Sequence, residues 1–163
     1  MMKKRLLRGL LFILLAVLAS FSDPAHDASA EAEAAPSLQK STIMIYMCGS
    51  NLESQVGSAT TDITEILSSG FDPAFTNVLI MTGGSKQWRI GALNNRSSIM
   101  EMGKQGPRPV WSSEEQLDMA DRNTLSFFLR YCHEHYPADR FSLIIWDHGT
   151  GPNGGFCYDE LFD

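Results

Sequence analysis

Thr42-Ile-Met-Ile-Tyr-Met47 is the stretch that decides the fold class. It has strand length, carries no charge and does not alternate between apolar and polar positions. A strand with one wet face alternates; a strand buried on both faces reads as a continuous apolar run. Cys48-Gly49 follows, and then Ser50-Asn-Leu-Glu53, whose spacing is that of a capping box opening a helix. Val56, Ala59, Ile63, Ile66 and Leu67 fall near one helical face, and Gly70 supplies the stop. Asn77-Val-Leu-Ile-Met-Thr82 is a second short apolar run, closed by Gly83-Gly84. Strand, helix, strand is the repeating unit of a parallel sheet.

Downstream the texture changes. Gln87 to Leu93 and Arg96 to Met102 flank Asn94-Asn95; asparagine tolerates positive φ, so this reads as a small β-ribbon turning at Asn94-Asn95. Gly103 to Pro109 reads as loop. Asn123, with Asp121 just before it, can cap a second helix whose apolar face is Leu125, Phe128, Leu129 and Cys132 and which ends by Pro137. Phe141-Ser-Leu-Ile-Ile-Trp146 is a third buried strand, and the Gly-rich tail from Gly149 to Asp163 closes without a regular element. Right-handed crossovers place the three strands in one parallel sheet with helices on its faces. Ligands of such sheets gather at the carboxyl ends of the strands. Those ends carry Cys48-Gly49-Ser50, Thr82-Gly83-Gly84 and Asp147-His148-Gly149.

Outward from the domain, residues 1–30 have another character. Lys3, Lys4, Arg5 and Arg8 precede the apolar run Leu10 to Ala19, and Ala28-Ser29-Ala30 matches the small-x-small pattern of a signal-peptidase site. The run is shorter than the roughly 20 residues of a membrane-spanning helix. Residues 1–30 are therefore expected to be a cleaved export signal, residues 31–41 a tether, and residues 42–163 the folded domain. The expected location is secreted or extracytoplasmic, with no stable membrane association after cleavage. Apolar residues make up 44% of the chain and charged residues 20%, the balance of an ordinary globular domain. The signal would remove four bases (Lys3, Lys4, Arg5, Arg8) but two acids (Asp23, Asp27) from totals of 13 and 19, leaving an acidic domain. Such a surface gives no electrostatic footing for nucleic acid.

His148 is the residue best suited to chemistry. It directly follows a buried strand at the edge where ligands gather, and a histidine titrates close to neutral pH, so it can take up a proton. Gly149 leaves a backbone N–H accessible for a developing oxyanion. Position alone fits a structural histidine held by a neighbour equally well.

Three stretches together resemble the clostripain family of cysteine peptidases: Ile45-Tyr-Met-Cys-Gly-Ser-Asn-Leu-Glu53, Asp118-Met-Ala-Asp121, and Ile145-Trp-Asp-His-Gly149 followed by Tyr158-Asp-Glu160. The likeness runs through residues 42–163. It implies an α/β, three-layer caspase-like fold with a mostly parallel sheet, helices on both faces and a small β-ribbon. It implies a peptide or protein substrate cut after Arg or Lys, His148 as catalytic base and Gly149 N–H as an oxyanion donor. In such folds the nucleophilic cysteine ends the next strand of the sheet. No such strand follows His148 in these 163 residues, so the domain is expected to be incomplete and inactive as it stands.

None of the three cysteines is a natural substitute. Cys132 faces the core from a helix, Cys48 reads as a small buried residue at a strand end, and Cys157 lies in the Gly-flanked tail. An odd number in an exported chain leaves at least one free or paired elsewhere. Asp147 is expected to be a structural carboxylate, because successive strand residues point to opposite faces and Asp147 should not face His148. His133 and His135 sit near a helix C-terminus, where a positive imidazolium is favourable. No paired-ligand spacing suggests a catalytic metal, although the resemblance leaves room for a loosely bound Ca²⁺ on the acidic tail. Two other functions fit the same pattern. One is a non-catalytic binding module on a caspase-like fold, and a downstream strand ending in Cys would argue against it. The other is a flavodoxin-like nucleotide binder, which needs a phosphate-cradling first loop, and Cys48-Gly-Ser-Asn51 matches that only faintly.

Overall fold

The structure is a computed structural model and describes residues 41–149, 151 and 155–162. The expected export signal lies outside these residues, as does the tether except for Ser41. Strands β1 (Ser41–Cys48), β2 (Thr76–Gly83), β3 (Ser98–Gly103), β4 (Gly106–Ser112) and β5 (Phe141–Trp146) form one sheet in the order β4-β3-β2-β1-β5. β1 lies parallel to both β2 and β5, with Met47 beside Thr82 on one side and Trp146 on the other. β3 and β4 continue the sheet antiparallel beyond β2. The three apolar runs are thus adjacent parallel strands, with the first of them in the middle.

Helices α1 (Ser58–Ser68) and α2 (Arg122–His135) cover opposite faces. Alternation along the strands divides the core accordingly. Ile45, Met47, Val78 and Ile80 pack with Ala59 and Ile63 of α1, while Met44, Tyr46, Leu79 and Met81 pack with Phe128 and Cys132 of α2. β1 and β2 carry no charge because both of their faces are covered, and each fully buried side chain of this kind contributes about 1.5–3 kcal/mol. Asp121 is the N-cap of α2, its carboxylate accepting from Asn123 N–H, so the cap falls two residues before the Asn123 expected in that role.

Two local expectations are corrected. The β-ribbon turns between Gly103 and Gly106, with Met102 opposite Pro107 and Glu101 opposite Arg108, and not at Asn94-Asn95. Pro107 and Pro109 suggested loop, but an outermost strand tolerates proline because an edge N–H has no sheet partner to lose. Asn95 does adopt positive φ, yet the neighbouring Asn94 serves the loop itself, its Oδ1 accepting from Trp88 N–H at 2.7 Å.

The capping box is the second correction. The helical segment after β1 breaks at Gly57, whose φ of 79° is left-handed, and Leu52–Val56 form a separate π-type turn. Glu53 therefore caps α1 from a distance. Its buried carboxylate accepts from Thr60 N–H (2.9 Å), Thr60 Oγ1 (2.6 Å) and Arg89 N–H (2.7 Å). An anion at a helix N-terminus answers the dipole and satisfies orphan donors together. Val56, expected on the apolar face of α1, precedes the break and is 71% exposed.

Candidate active site

The carboxyl ends of β1 and β5 meet at one edge, so Cys48 and His148 lie on neighbouring strands at the same end of the sheet. His148 Nε2 is 2.6 Å from Asn51 Oδ1, at the start of the turn after β1. An amide oxygen only accepts, so in this contact Nε2 carries a proton and Nδ1 is the ring nitrogen left for another partner. Gly149 has open space beside its Cα and forms an isolated antiparallel bridge with Phe156.

Asp147 turns the other way, as expected for a structural carboxylate. Its Oδ1 accepts from Ser50 Oγ at 2.7 Å, and its Oδ2 accepts from Tyr158 N–H. Ser50 is fully buried with a φ of 42°, a conformation disfavoured for a residue bearing Cβ. Its carbonyl accepts from Ser85 Oγ at 2.9 Å, so one residue joins the ends of all three parallel strands. Sequence spacing had assigned Ser50 to a helix cap. Nothing in the local pattern shows a partner 97 positions away, and the same holds for Asn51.

The segment after Phe156 docks on these strand ends. Asp159 is buried and accepts from Met119 N–H and Leu161 N–H, each at 2.8 Å. Glu160 accepts from Lys86 N–H and Ser54 Oγ, both at 3.0 Å. Glu160 therefore staples the tail to the segments that follow β1 and β2, and Asp159 staples it to the segment before α2. Gly84, with φ of 71°, allows the docking, because a Cβ there would stand 2.4 Å from Cys48 Sγ.

Cys48 and Cys157 come together beside Asp147. The two Sγ atoms and a carboxylate oxygen all lie within 4.8 Å of one another. Cys48 is buried and its thiol lies 3.4 Å from the Tyr158 carbonyl. Its hydrogen bond to Cys157, and then burial, hold that thiol well above its usual range; the same hydrogen bond draws Cys157 below its own. Cys132 remains apart in the core under α2. His133 stacks on Phe141 and His135 meets the Tyr131 ring, so neither reaches the strand ends. Among the described residues no helix is long and apolar enough to cross a membrane.

Comparison with known proteins bears on the fold and the family. Clostripain from Hathewaya histolytica is 26% identical over 146 residues, covering 75% of this chain and 27% of that protein. The chain thus spans about a quarter of the curated relative's length. A Bacteroides fragilis cysteine protease superposes with a TM-score of 0.56 at 22% identity, covering 69% of this chain and 91% of the other. A clostripain from Bacteroides thetaiotaomicron, solved with the peptide inhibitor BTN-VLTK-AOMK, gives 0.52 at 14% identity, covering 71% and 95%. A secreted C11 cysteine protease from the same species, in complex with an irreversible peptide inhibitor, gives 0.55 at 18% identity, covering 69% and 30%. The sheet with its two helical layers is therefore the caspase-like fold of these proteases. The model of the clostripain family matches residues 45–161, and the chain belongs to the clostripain family of cysteine peptidases.

Proposed function

We propose that residues 42–163 are the N-terminal part of an exported cysteine endopeptidase that cleaves after Arg or Lys. In this reading His148 is the base, Gly149 N–H is one oxyanion donor, and the nucleophile is a cysteine on a further strand that pairs with β5. The observation that carries the reading is the placement of His148 at the carboxyl end of β5, with Asn51 holding Nε2 so that Nδ1 is the proton acceptor. A nucleophile from outside the described residues is supported by what surrounds the cysteines that are present. Cys48 is buried with its thiol hydrogen-bonded, Cys132 is core, and Cys157 gathers with Cys48 and Asp147. It is supported also by β5, which pairs with β1 alone among the described strands and exposes Leu143, Ile144 and Ile145. A basic residue at the cleavage site is supported by the Bacteroides thetaiotaomicron relative, whose inhibitor carries the peptide VLTK. Export is supported by residues 1–30.

Proton removal by a positioned base and attack by a thiolate are both required for the acyl-enzyme to form. The test is expression of the chain together with its downstream codons, through the next strand-end cysteine. This longer protein should cleave Arg or Lys reporter peptides, with covalent labelling at the downstream cysteine. His148→Ala should remove most of the rate, with losses in comparable triads on the order of a millionfold. Turnover that survives His148→Ala in a folded protein would remove the base assignment. Thiol-dependent cleavage by residues 1–163 alone would move the nucleophile to Cys48 or Cys157. Peptide binding without turnover in the longer protein would favour the non-catalytic binding module.

A further inference from the structure

We propose that Cys48 and Cys157 form a redox-active dithiol, which closes to a disulfide and latches the segment Tyr158–Leu161 onto the end of β1. The inference is independent of the peptidase reading, since it uses neither His148 nor any residue outside the described chain.

Two observations carry it. The first is proximity across the sequence: 108 residues separate two sulfurs that lie within 4.8 Å of each other. A disulfide needs its sulfurs about 2.0 Å apart, and the remaining distance is within reach of side-chain rotation and a small loop adjustment. Cys157 sits on such a loop, flanked by Gly155 with a φ of 83° and itself at a φ of 72°. The second is access. Cys157 is half-buried and lines a cavity of about 250 Å³ with Tyr46, Met119, Ile145 and Phe156, while Cys48 lies sealed behind it. One sulfur can meet a reagent from solvent and the other can meet only its neighbour.

A metal is the competing use of the same atoms, and the geometry argues against it. The cluster offers three donors where a structural zinc takes four. Both oxygens of Asp147 are already engaged, by Ser50 Oγ and by Tyr158 N–H.

The chemistry is thiol–disulfide exchange with a low-molecular-weight disulfide such as oxidised glutathione. The thiolate form of Cys157, the sulfur that lines the cavity, attacks one sulfur of the reagent. An S–S bond forms to Cys157 and the first glutathione thiolate leaves. Cys48 then loses its proton and attacks Cys157 Sγ, forming the internal bond and expelling the second thiolate. The two departing thiolates are protonated in solution. Two protein thiols are oxidised and one reagent disulfide is reduced to two thiols, so the step balances. Closure ties Asp159 and Glu160, with their contacts to Met119, Lys86 and Ser54, to the end of β1.

The full chain, first reduced and freed of reductant, is equilibrated with oxidised glutathione and then denatured for thiol titration. All three cysteines should react before oxidation and one after it. Peptide mapping without reductant should show a single cross-link, joining the Cys48 and Cys157 peptides within one chain. The oxidised form should melt at a higher temperature, because the bond closes a long loop in the unfolded chain. Cys132→Ser should leave the cross-link intact. Cys48→Ser should instead trap one glutathione on Cys157, a readout that does not require the cross-link to form. Three titratable thiols after oxidation of a protein with native circular dichroism would overturn the proposal. So would a cross-link that includes Cys132 or joins two chains. Thiols that react only after a chelator strips zinc would overturn it in favour of a metal site.

Discussion

The two flanks of β1 have opposite characters. On one side β2 is covered on both faces and followed by the β3–β4 ribbon, so Leu79, Ile80 and Met81 are completely buried. On the other side β5 has nearly the same apolar make-up, yet Leu143 is 40%, Ile144 47% and Ile145 43% exposed. The same residue types in the same kind of parallel strand thus end in two environments. Composition fixes what a strand can bury; neighbours determine what it does bury. Burial energy scales with area removed from water, so β2 contributes its full share to stability and β5 contributes part of its own.

Substitutions can sharpen this contrast. Phe128→Ala, on the helix that covers the closed side, should cost about 3–5 kcal/mol, because it opens a cavity under a fully buried ring. A urea midpoint shift in a two-state melt measures it, and a loss below 1 kcal/mol would show that α2 is not tightly seated. Alkaline pH probes the same layer. Burial raises the Cys132 thiol from 9.0 to about 12. The unfolded thiol ionises above its ordinary value while the native one stays protonated. Stability from this group is therefore complete below pH 9.0 and declines as pH climbs towards about 12. The steepest slope, midway between the two values, should be about 1.4 kcal/mol per pH unit, and Cys132→Ser should flatten it. Ile144→Ala, on the open side, should cost under about 1 kcal/mol in the chain as it stands, since the side chain is already half in water. In a longer protein whose next strand covers β5, the same change should cost about 2–5 kcal/mol. Equal costs in both forms would show that nothing packs on that face.

The architecture was legible wherever it depends on burial over short range. The continuous run Thr42–Met47 and its two counterparts identified three strands of one parallel sheet, and Ala59, Ile63, Phe128 and Cys132 marked the faces of the helices that cover them. The ribbon was misplaced because proline and glycine carry opposite meanings in a central strand and at an edge, and sequence does not say which strand lies outermost. His148 was visible because a strand end is a local feature. Its partner Asn51 and the Ser50–Asp147 contact were not, because they exist only once β1 and β5 stand side by side. Glu53 illustrates the same limit. Its spacing from Ser50 fitted a local cap, but Gly57 interrupts the helix and redirects the carboxylate to Thr60 and Arg89.

The prolines of β4 give the sheet a direction of growth. Pro107 and Pro109 withhold two N–H donors from the outer border, and Arg108 is exposed there. β5 retains all its donors and carries no charged side chain. In the language of polymerisation, the sheet has one terminated end and one living end. Among the described strands the sheet is therefore capped at β4 and open to extension at β5, and in the proposed whole protein the further strand consumes that living end before a second sheet can.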